Sequence, residues 1–151
     1  MKSIKGDLIS MALAGHFDVI VHGCNCFCAM GAGIAKRIRD SFPKAYEADL
    51  KTALGDRTKL GSYSSALISI NGVSFTVVNA YVQFNFYGHG VLADYSALQK
   101  VFTAVKHDFT GQRIGYPMIG AGLAGGDWQI ISGIIDTALK GEDHTLVEYD
   151  S

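Results

Sequence analysis

Apolar and polar residues alternate along this chain in two distinct patterns. Short apolar runs rich in β-branched residues predict buried strands, at 18–21, 114–117 and 145–149. Apolar residues that recur at helical spacing predict helices, at 34–42, 45–54, 94–109 and 129–139. Residues 66–70 and 73–79 flank Asn71-Gly72, a strong hairpin signal, which predicts that the sheet is mixed. The whole pattern predicts an α/β protein with three layers, α/β/α.

The sequence predicts loops in two stretches between these elements. Residues 56–65 are polar and contain glycine, which predicts a surface loop. Residues 80–90 (AYVQFNFYGHG) mix aromatic with polar residues and end in glycines. We expect this second stretch to be an extended, aromatic-lined loop over a site.

Length and charge narrow the classes of function. The chain has 151 residues and a formal net charge of -1, and its basic residues are dispersed. That distribution disfavours duplex nucleic acid and anionic membranes as partners. The N-terminus has no apolar signal core, and no apolar run approaches the roughly 20 residues that cross a bilayer. We therefore expect one cytoplasmic domain, residues 1–151, that is a monomer.

Two glycine-rich segments each follow a predicted strand and open a predicted helix. The first spans 22–33 and the second 118–128. In open α/β sheets such segments lie at the carboxyl ends of strands, where backbone N–H groups and helix N-termini favour phosphate. Together they predict a clamp for a diphosphate. A Rossmann or P-loop site is disfavoured, because the full glycine spacing and a GK[ST] sequence are both missing.

Three cysteines alternate in the first glycine-rich segment. Cys24, Cys26 and Cys28 would share one face of a strand, which favours packing in a reducing compartment. A metal site would need His22 and a distant ligand, since no second Cys or Cys/His pair at zinc spacing is present. A catalytic thiolate is a further interpretation, with little beside His22 to lower its pKa. We predict no metal and no cofactor.

The short motifs taken together resemble the macrodomain family, which binds ADP-ribose. They occur in the family's order over nearly the whole chain: Gly6-Asp7-Leu8, His22-Gly23-Cys24-Asn25, Met30-Gly31-Ala32-Gly33-Ile34-Ala35, Ile119-Gly120-Ala121-Gly122-Leu123 and Val147-Glu148-Tyr149. The resemblance implies the macrodomain fold and ADP-ribose or its 1''-phosphate as ligand. The motifs look most like the branch that removes the phosphate from ADP-ribose 1''-phosphate.

The resemblance also implies a role for each matching position. Asp7 would accept from the adenine amino group beside the Leu8 N–H, Tyr149 would pack on adenine, and Asn25 would contact the distal ribose. The two loops would wrap the diphosphate and distal ribose through backbone N–H groups of Gly31, Ala32, Gly33, Ile34 and Ala35, and of Ile119, Gly120, Ala121, Gly122 and Leu123.

Departures from the family pattern bear on the reaction. A neighbouring branch of macrodomain hydrolases, which releases ADP-ribose from modified acidic side chains, uses an aspartate and a lysine. Here Ala124 replaces the aspartate, and residues 77–81 (VVNAY) occupy the strand end that would carry the lysine. His22 and Asp127 are left as the predicted catalytic pair for phosphate release, with Asn25 orienting the ribose.

Each catalytic candidate also has a structural interpretation. A lone strand-end histidine such as His22 is usually structural, and Asp127 suits the N-cap of a helix that opens at Trp128. Two alternatives to a phosphatase therefore stay open. One is a hydrolase that removes ADP-ribose from protein or nucleic acid, and the other is a non-catalytic reader of ADP-ribose.

Overall fold

Residues 1–150 are described by a computed structural model, in which six strands form one mixed sheet. The strands are β1 (Lys2–Gly6), β2 (Val19–Asn25), β3 (Tyr63–Ile70), β4 (Val73–Gln83), β5 (Arg113–Tyr116) and β6 (Asp143–Tyr149). Their order across the sheet is β1-β6-β5-β2-β4-β3. All neighbours are parallel except β3 and β4, which form the antiparallel hairpin predicted around Asn71-Gly72.

Helices cover both faces of the sheet. They are α1 (Leu8–Leu13), α2 (Gly33–Ser41), α3 (Pro43–Leu50), α4 (Tyr95–Asp108) and α5 (Trp128–Ala138), with a single 3₁₀ turn at Arg57–Lys59. One apolar core joins the sheet to α4 and α5, and a second joins it to α1, α2 and α3. The predicted three-layer α/β/α architecture with a mixed sheet is confirmed.

The β2 strand shows how the sequence supplies both cores. Val19 and Val21 pack on the side of α4 and α5, whereas Ile20 packs on the side of α1, α2 and α3. Successive side chains in a strand point to opposite faces. Each second residue of β2 therefore belongs to the same layer, and His22 falls on the side of Ile20.

The prediction of a loop at 80–90 is wrong for its first part. β4 continues to Gln83, and its last residues pair with the end of β2, Cys24 with Tyr81 and Asn25 with Gln83. Aromatic residues such as Tyr81 are common in strands. The mixture of polar and aromatic residues at 80–90 nevertheless resembles a loop, so the sequence did not indicate that β4 continues. Likewise β3 begins at Tyr63, inside the stretch predicted as a surface loop.

The boundaries of α2, α4 and α5 follow the sequence signals within one or two residues, whereas α3 ends at Leu50, four residues before its predicted end. Pro43 ends α2 as predicted and is also the first residue of α3. An N–H group at this position would have no partner within the helix, so proline is tolerated there. Asp7 caps α1 by accepting hydrogen bonds from the Ile9 and Ser10 N–H groups. Among residues 1–150, no helix has the length and apolar character needed to cross a membrane.

Candidate functional site

A cleft of about 910 Å³ lies where the carboxyl ends of the parallel strands meet. Its walls come from strand ends, from the first loop (residues 26–32, between β2 and α2) and from the second loop (117–127, between β5 and α5). The lining residues are Gly23, Cys24, Asn25, Ala29, Gly31, Ala32, Gly33, Ile34, Ala35, Gln83, Phe86, Leu92, Pro117, Met118, Ile119, Gly120, Gly122, Leu123, Ala124, Val147, Glu148 and Tyr149. The structure thus brings the two predicted glycine-rich segments together around one cavity.

The first loop is held in shape by Asn25. Its Oδ1 accepts from the Phe27 N–H at 2.9 Å, and its Nδ2 donates to the Ala29 carbonyl at 2.8 Å. These bonds fold the chain back on itself directly after β2, in the manner of an Asx turn. Asn25 lines the cleft, and its amide orders the loop.

The N-terminus of α2 opens directly into the cleft. Ala32 at the N-cap makes no side-chain hydrogen bond, and the first bond into the helix runs from the Lys36 N–H to the Ala32 carbonyl. The N–H groups of Gly33, Ile34 and Ala35 are therefore left without intrahelical partners. Together with the helix dipole, these groups form a favourable place for a phosphate.

The second loop faces this helix from across the cleft. Gly120 has φ 77° and its carbonyl accepts from the Gly126 N–H at 2.8 Å, which closes the loop. A Cβ at Gly126 would lie 2.5 Å from the Gly120 oxygen, whereas a Cβ at Gly122 would meet nothing within 4 Å. Gly126 is thus required by the fold, and Gly122 borders open space in the cleft.

A smaller apolar cavity of about 280 Å³ continues the cleft toward α1. Its lining residues are Leu8, Gly33, Ile34, Arg37, Pro117, Val147 and Tyr149. Five of them, Gly33, Ile34, Pro117, Val147 and Tyr149, also line the larger cavity. The two cavities are therefore continuous, with an apolar end and a loop-lined end.

Asp7 lies beside the apolar end. Its Oδ2 accepts a hydrogen bond from Arg37 Nη2, and its Oδ1 accepts the N–H bonds that cap α1. Partial burial acts to raise the pKa of Asp7, but the hydrogen bonds from Arg37 and Ser10 outweigh it and lower that pKa. Asp7 is therefore a carboxylate acceptor next to Leu8 at neutral pH.

His22 does not reach the cleft. The side chain is 0% exposed and lies in the layer beneath α3, where its Nε2 is 2.6 Å from Asn79 Oδ1. Burial lowers the pKa of His22 to about 4, although the hydrogen bond with Asn79 acts in the opposite direction. Its place as a neutral, buried group is a correction to the expectation that it flanks a bound phosphate.

The residues around His22 form a buried polar layer, a name we use for His22, Asp49, Lys59, Ser64, Asn79 and Tyr81. Asn79 donates to the Ala45 carbonyl and to Ser64, and Tyr81 donates to Asp49. Lys59 donates to the Cys26 carbonyl. These bonds tie α3, β3, β4 and the first loop together beneath the cleft.

Asp127 also lies outside the cleft wall. It is the N-cap of α5, where its carboxylate accepts from the Gln129 N–H at 2.9 Å. The prediction that it could also flank a phosphate finds no support in this position, since the cleft lining ends at Ala124. His22 and Asp127 are thus not brought together. Ala121, in the same loop, is likewise outside the lining.

The cysteines occupy buried positions with free thiols. Cys24 lines the cleft floor, and its Sγ lies 3.7 Å from His22 Nε2. Burial raises the pKa of the Cys24 thiol, so the thiolate needed for nucleophilic attack is disfavoured. Residues 1–150 contain no group of three His, Cys, Asp or Glu side chains placed to hold a metal ion.

Sequence reasoning missed several residues of the site. Arg37 is one, since its position in a helix gave no sign that it faces a cavity. Leu92 is another. Gln83, the last residue of β4, and Phe86 also line the cleft, and both fall in the stretch 80–90 that was expected to lie over a site. Alternation along β4 from the buried Tyr81 could have indicated that this strand continues, but the aromatic residues were assigned to a loop.

Comparison with known proteins places the chain in a family. It is 37% identical over 155 residues to an uncharacterized 17.5 kDa protein of Enterobacteria phage T4 from the tk-vs intergenic region, across 99% of this chain and 97% of that one. At this identity and coverage, the chain belongs to the same family as that phage protein. No family model matches the sequence.

Solved structures identify the fold as that of macrodomains. The macrodomain of Mycobacterium tuberculosis DarG superposes with a TM-score of 0.76 at 16% identity, covering 99% of this chain and 97% of that chain. A Trypanosoma brucei macrodomain, solved in complex with ADP-ribose, superposes with a TM-score of 0.66 at 14% identity, covering 97% and 62%. At such identities the likeness concerns the fold.

Proposed function

We propose that this chain binds ADP-ribose in the cleft between its two loops. The observation that carries the proposal is the order of features along one continuous cavity. An apolar end with a carboxylate beside it is followed by a helix N-terminus that has no side-chain cap, and then by a glycine-rich loop with open space at Gly122. This order fits adenine, diphosphate and distal ribose.

The apolar end suits a purine base. Leu8, Ile34 and Val147 supply apolar walls and Tyr149 supplies an aromatic ring. Asp7, which is outside the lining but adjoins Leu8 and contacts Arg37, would supply an acceptor for the amino group. Ligand sites commonly combine largely apolar walls with a few well-placed polar groups. The T. brucei macrodomain, which shares the fold and was solved with ADP-ribose, further supports ADP-ribose as the ligand.

The diphosphate would be bound mainly by backbone. The free N–H groups at the start of α2 face the second loop, and Leu123 from that loop approaches Gly33. A helix N-terminus carries roughly half a positive charge, which favours an anion without any basic side chain. This explains how a chain with dispersed basic residues could bind a doubly charged ligand.

Binding without chemistry is the function that the geometry supports best. Of the residues that line the two cavities, Glu148 is the one acidic residue and none is a histidine. Glu148 lies between Val147 and Tyr149 at the end of β6 and lines the larger cavity. The sequence resemblance implies release of phosphate from ADP-ribose 1''-phosphate. Neither of the residues predicted to catalyse it, His22 and Asp127, lines the cleft.

The aspartate and lysine that the hydrolase alternative would use are also missing from the cleft. Ala124, which replaces the hydrolase aspartate, lines the wall of the second loop. β4 ends in Gln83 rather than in a lysine, and Gln83 donates to the Asn85 carbonyl. Removal of ADP-ribose from a protein or nucleic acid would therefore need an attacking water that no acidic side chain of this wall activates.

Calorimetry tests the proposal directly. ADP-ribose, AMP and ribose 5-phosphate would be titrated into the protein, and we expect one site that binds ADP-ribose more tightly than either part. A protein that binds none of the three would overturn the proposed function.

A parallel assay separates a reader from an enzyme. Phosphate release from ADP-ribose 1''-phosphate and ADP-ribose release from modified protein would be followed with the same preparation. We expect neither reaction to exceed its uncatalysed rate. Phosphate release that is lost in folded His22→Ala and Asp127→Ala variants would restore the catalytic assignment.

A further inference from the structure

Arg37 projects from α2 into the apolar end of the cleft. Its side chain lines the smaller cavity and is 38% exposed. Nη2 lies 2.5 Å from Asp7 Oδ2, and Cζ lies 4.9 Å from the centroid of the Tyr149 ring. One guanidinium group thus contacts both the acceptor and the aromatic ring of this end.

These two contacts are the ones that the proposed function assigns to adenine. An adenine base would donate from its amino group to Asp7 and pack its flat face on Tyr149. A guanidinium is likewise planar, carries N–H donors along its edge and stacks on aromatic faces. Arg37 can therefore reproduce both the edge and the face of the base.

We propose that Arg37 occupies the adenine position until the base displaces it, and that it thereby competes with the base. This inference rests on the proposed binding of ADP-ribose. The base enters as Arg37 leaves, so the contacts of Arg37 with Asp7 and Tyr149 lower the affinity for every ligand that carries adenine. Ligands that occupy only the loop-lined end are unaffected.

The strength of the competing contacts sets the size of the effect. Both members of the ion pair are partly exposed, at 38% and 28%, and such pairs are weak. A partly exposed cation–π contact is of similar size. Removing Arg37 should therefore tighten the binding of adenine ligands by roughly 3- to 10-fold.

The test is calorimetry on three proteins with three ligands. Wild type, Arg37→Ala and the control Arg39→Ala would be titrated with ADP-ribose, AMP and ribose 5-phosphate. Arg39 lies on the same helix but contacts Asp40 and the Tyr46 ring instead. Thermal unfolding of each variant would establish that it is folded.

The expected result is specific to Arg37 and to adenine. Arg37→Ala should bind ADP-ribose and AMP roughly 3- to 10-fold more tightly, with ribose 5-phosphate unchanged, and Arg39→Ala should match wild type. Unchanged or weaker binding of both adenine ligands by folded Arg37→Ala would overturn the competition. Failure of ADP-ribose to bind any of the three proteins would instead overturn the proposed function.

Discussion

The cleft and the buried polar layer beneath α3 differ in the types of side chain that they contain. The cleft offers about 910 Å³ of space, but glycine, alanine and apolar residues make up most of its walls. The polar layer holds an imidazole, a carboxylate, an ammonium group and a phenol, and almost none of it is exposed. The β2 strand contributes to both, with Gly23 and Asn25 on the cleft and His22 below.

Reactive residue types therefore do not by themselves locate a binding site. The polar layer ties β4, α3 and the first loop together through Asn79 and Lys59. It thereby supports the floor on which the backbone N–H groups of the cleft are arranged. The account predicts that cleft substitutions change affinity and that polar-layer substitutions change stability.

The largest expected effect on affinity comes from Gly122→Val. The valine side chain would meet no protein atom around its Cβ and would project into the space assigned to the ligand. We expect ADP-ribose affinity to fall about 100-fold or more, equivalent to about 3 kcal/mol, with little change in stability. Calorimetry and thermal unfolding would measure the two quantities.

Gly133→Val provides the matched control for this substitution. Gly133 is exposed on α5, and a Cβ there also meets nothing within 4 Å. It lies outside both cavities, so its variant should bind as wild type does. Wild-type affinity in Gly122→Val would show that the second loop is only a turn.

His22 should make stability depend on pH. Its pKa in the folded state is about 4, below its ordinary value of 6.5, chiefly because of burial. Between these values the unfolded chain binds a proton that the folded chain does not, so stability falls as pH drops from about 6.5 to about 4. The expected loss of unfolding free energy is roughly 2–4 kcal/mol.

Denaturant unfolding of wild type and His22→Gln across this pH range would test it. His144, whose pKa burial also lowers, is present in both proteins, so the difference between their slopes isolates His22. Equal slopes would show that His22 is not held neutral. The affinity of His22→Gln for ADP-ribose at pH 7 should match that of wild type.

Asp7→Ala should weaken ADP-ribose binding. The substitution removes the proposed acceptor for the adenine amino group, at a cost of roughly 1–3 kcal/mol for a hydrogen bond to a charged group. It also removes the cap of α1, so thermal unfolding must accompany the calorimetry. The inosine analogue of ADP-ribose serves as the control ligand, and equal affinity of wild type for both ligands would exclude Asp7 from this role.

Asp127→Ala should have the smallest effect. Loss of the α5 N-cap should lower stability by about 1 kcal/mol and leave affinity unchanged. Asp127→Asn, which retains a capping side chain, should restore most of that stability. A fall in ADP-ribose affinity without any fall in stability would place Asp127 in the site after all.

The fold was largely predictable because the spacing of apolar residues differs between its helices and its strands. Helical spacing identified α2, α4 and α5 within one or two residues, and Asn71-Gly72 located the hairpin. The order of strands across the sheet could not be derived, because strand pairing depends on contacts distant in sequence. The extension of β4 to Gln83 was missed because pairing with β2 overrode a loop-like composition.

The site was predicted better through its backbone than through its side chains. The glycine-rich segments that follow two predicted strands located both loops, because the carboxyl ends of parallel strands lie at the same edge of the sheet. The place of His22 was misjudged because β2 runs on for three more residues to Asn25, which leaves the imidazole buried below the strand end and hydrogen-bonded to Asn79. Arg37 was missed because its contacts with Asp7 and Tyr149 join three separate parts of the chain.

A crystal structure of the protein with ADP-ribose would show directly whether the ligand binds between the two loops. We expect adenine at Leu8 and Tyr149, and diphosphate oxygens about 3 Å from the N–H groups at the start of α2. The distal ribose should lie beside Asn25 and Gly122, with His22 still hydrogen-bonded to Asn79 and out of contact. Ligand density elsewhere on the protein, or an empty cleft at saturating ADP-ribose, would contradict this expectation.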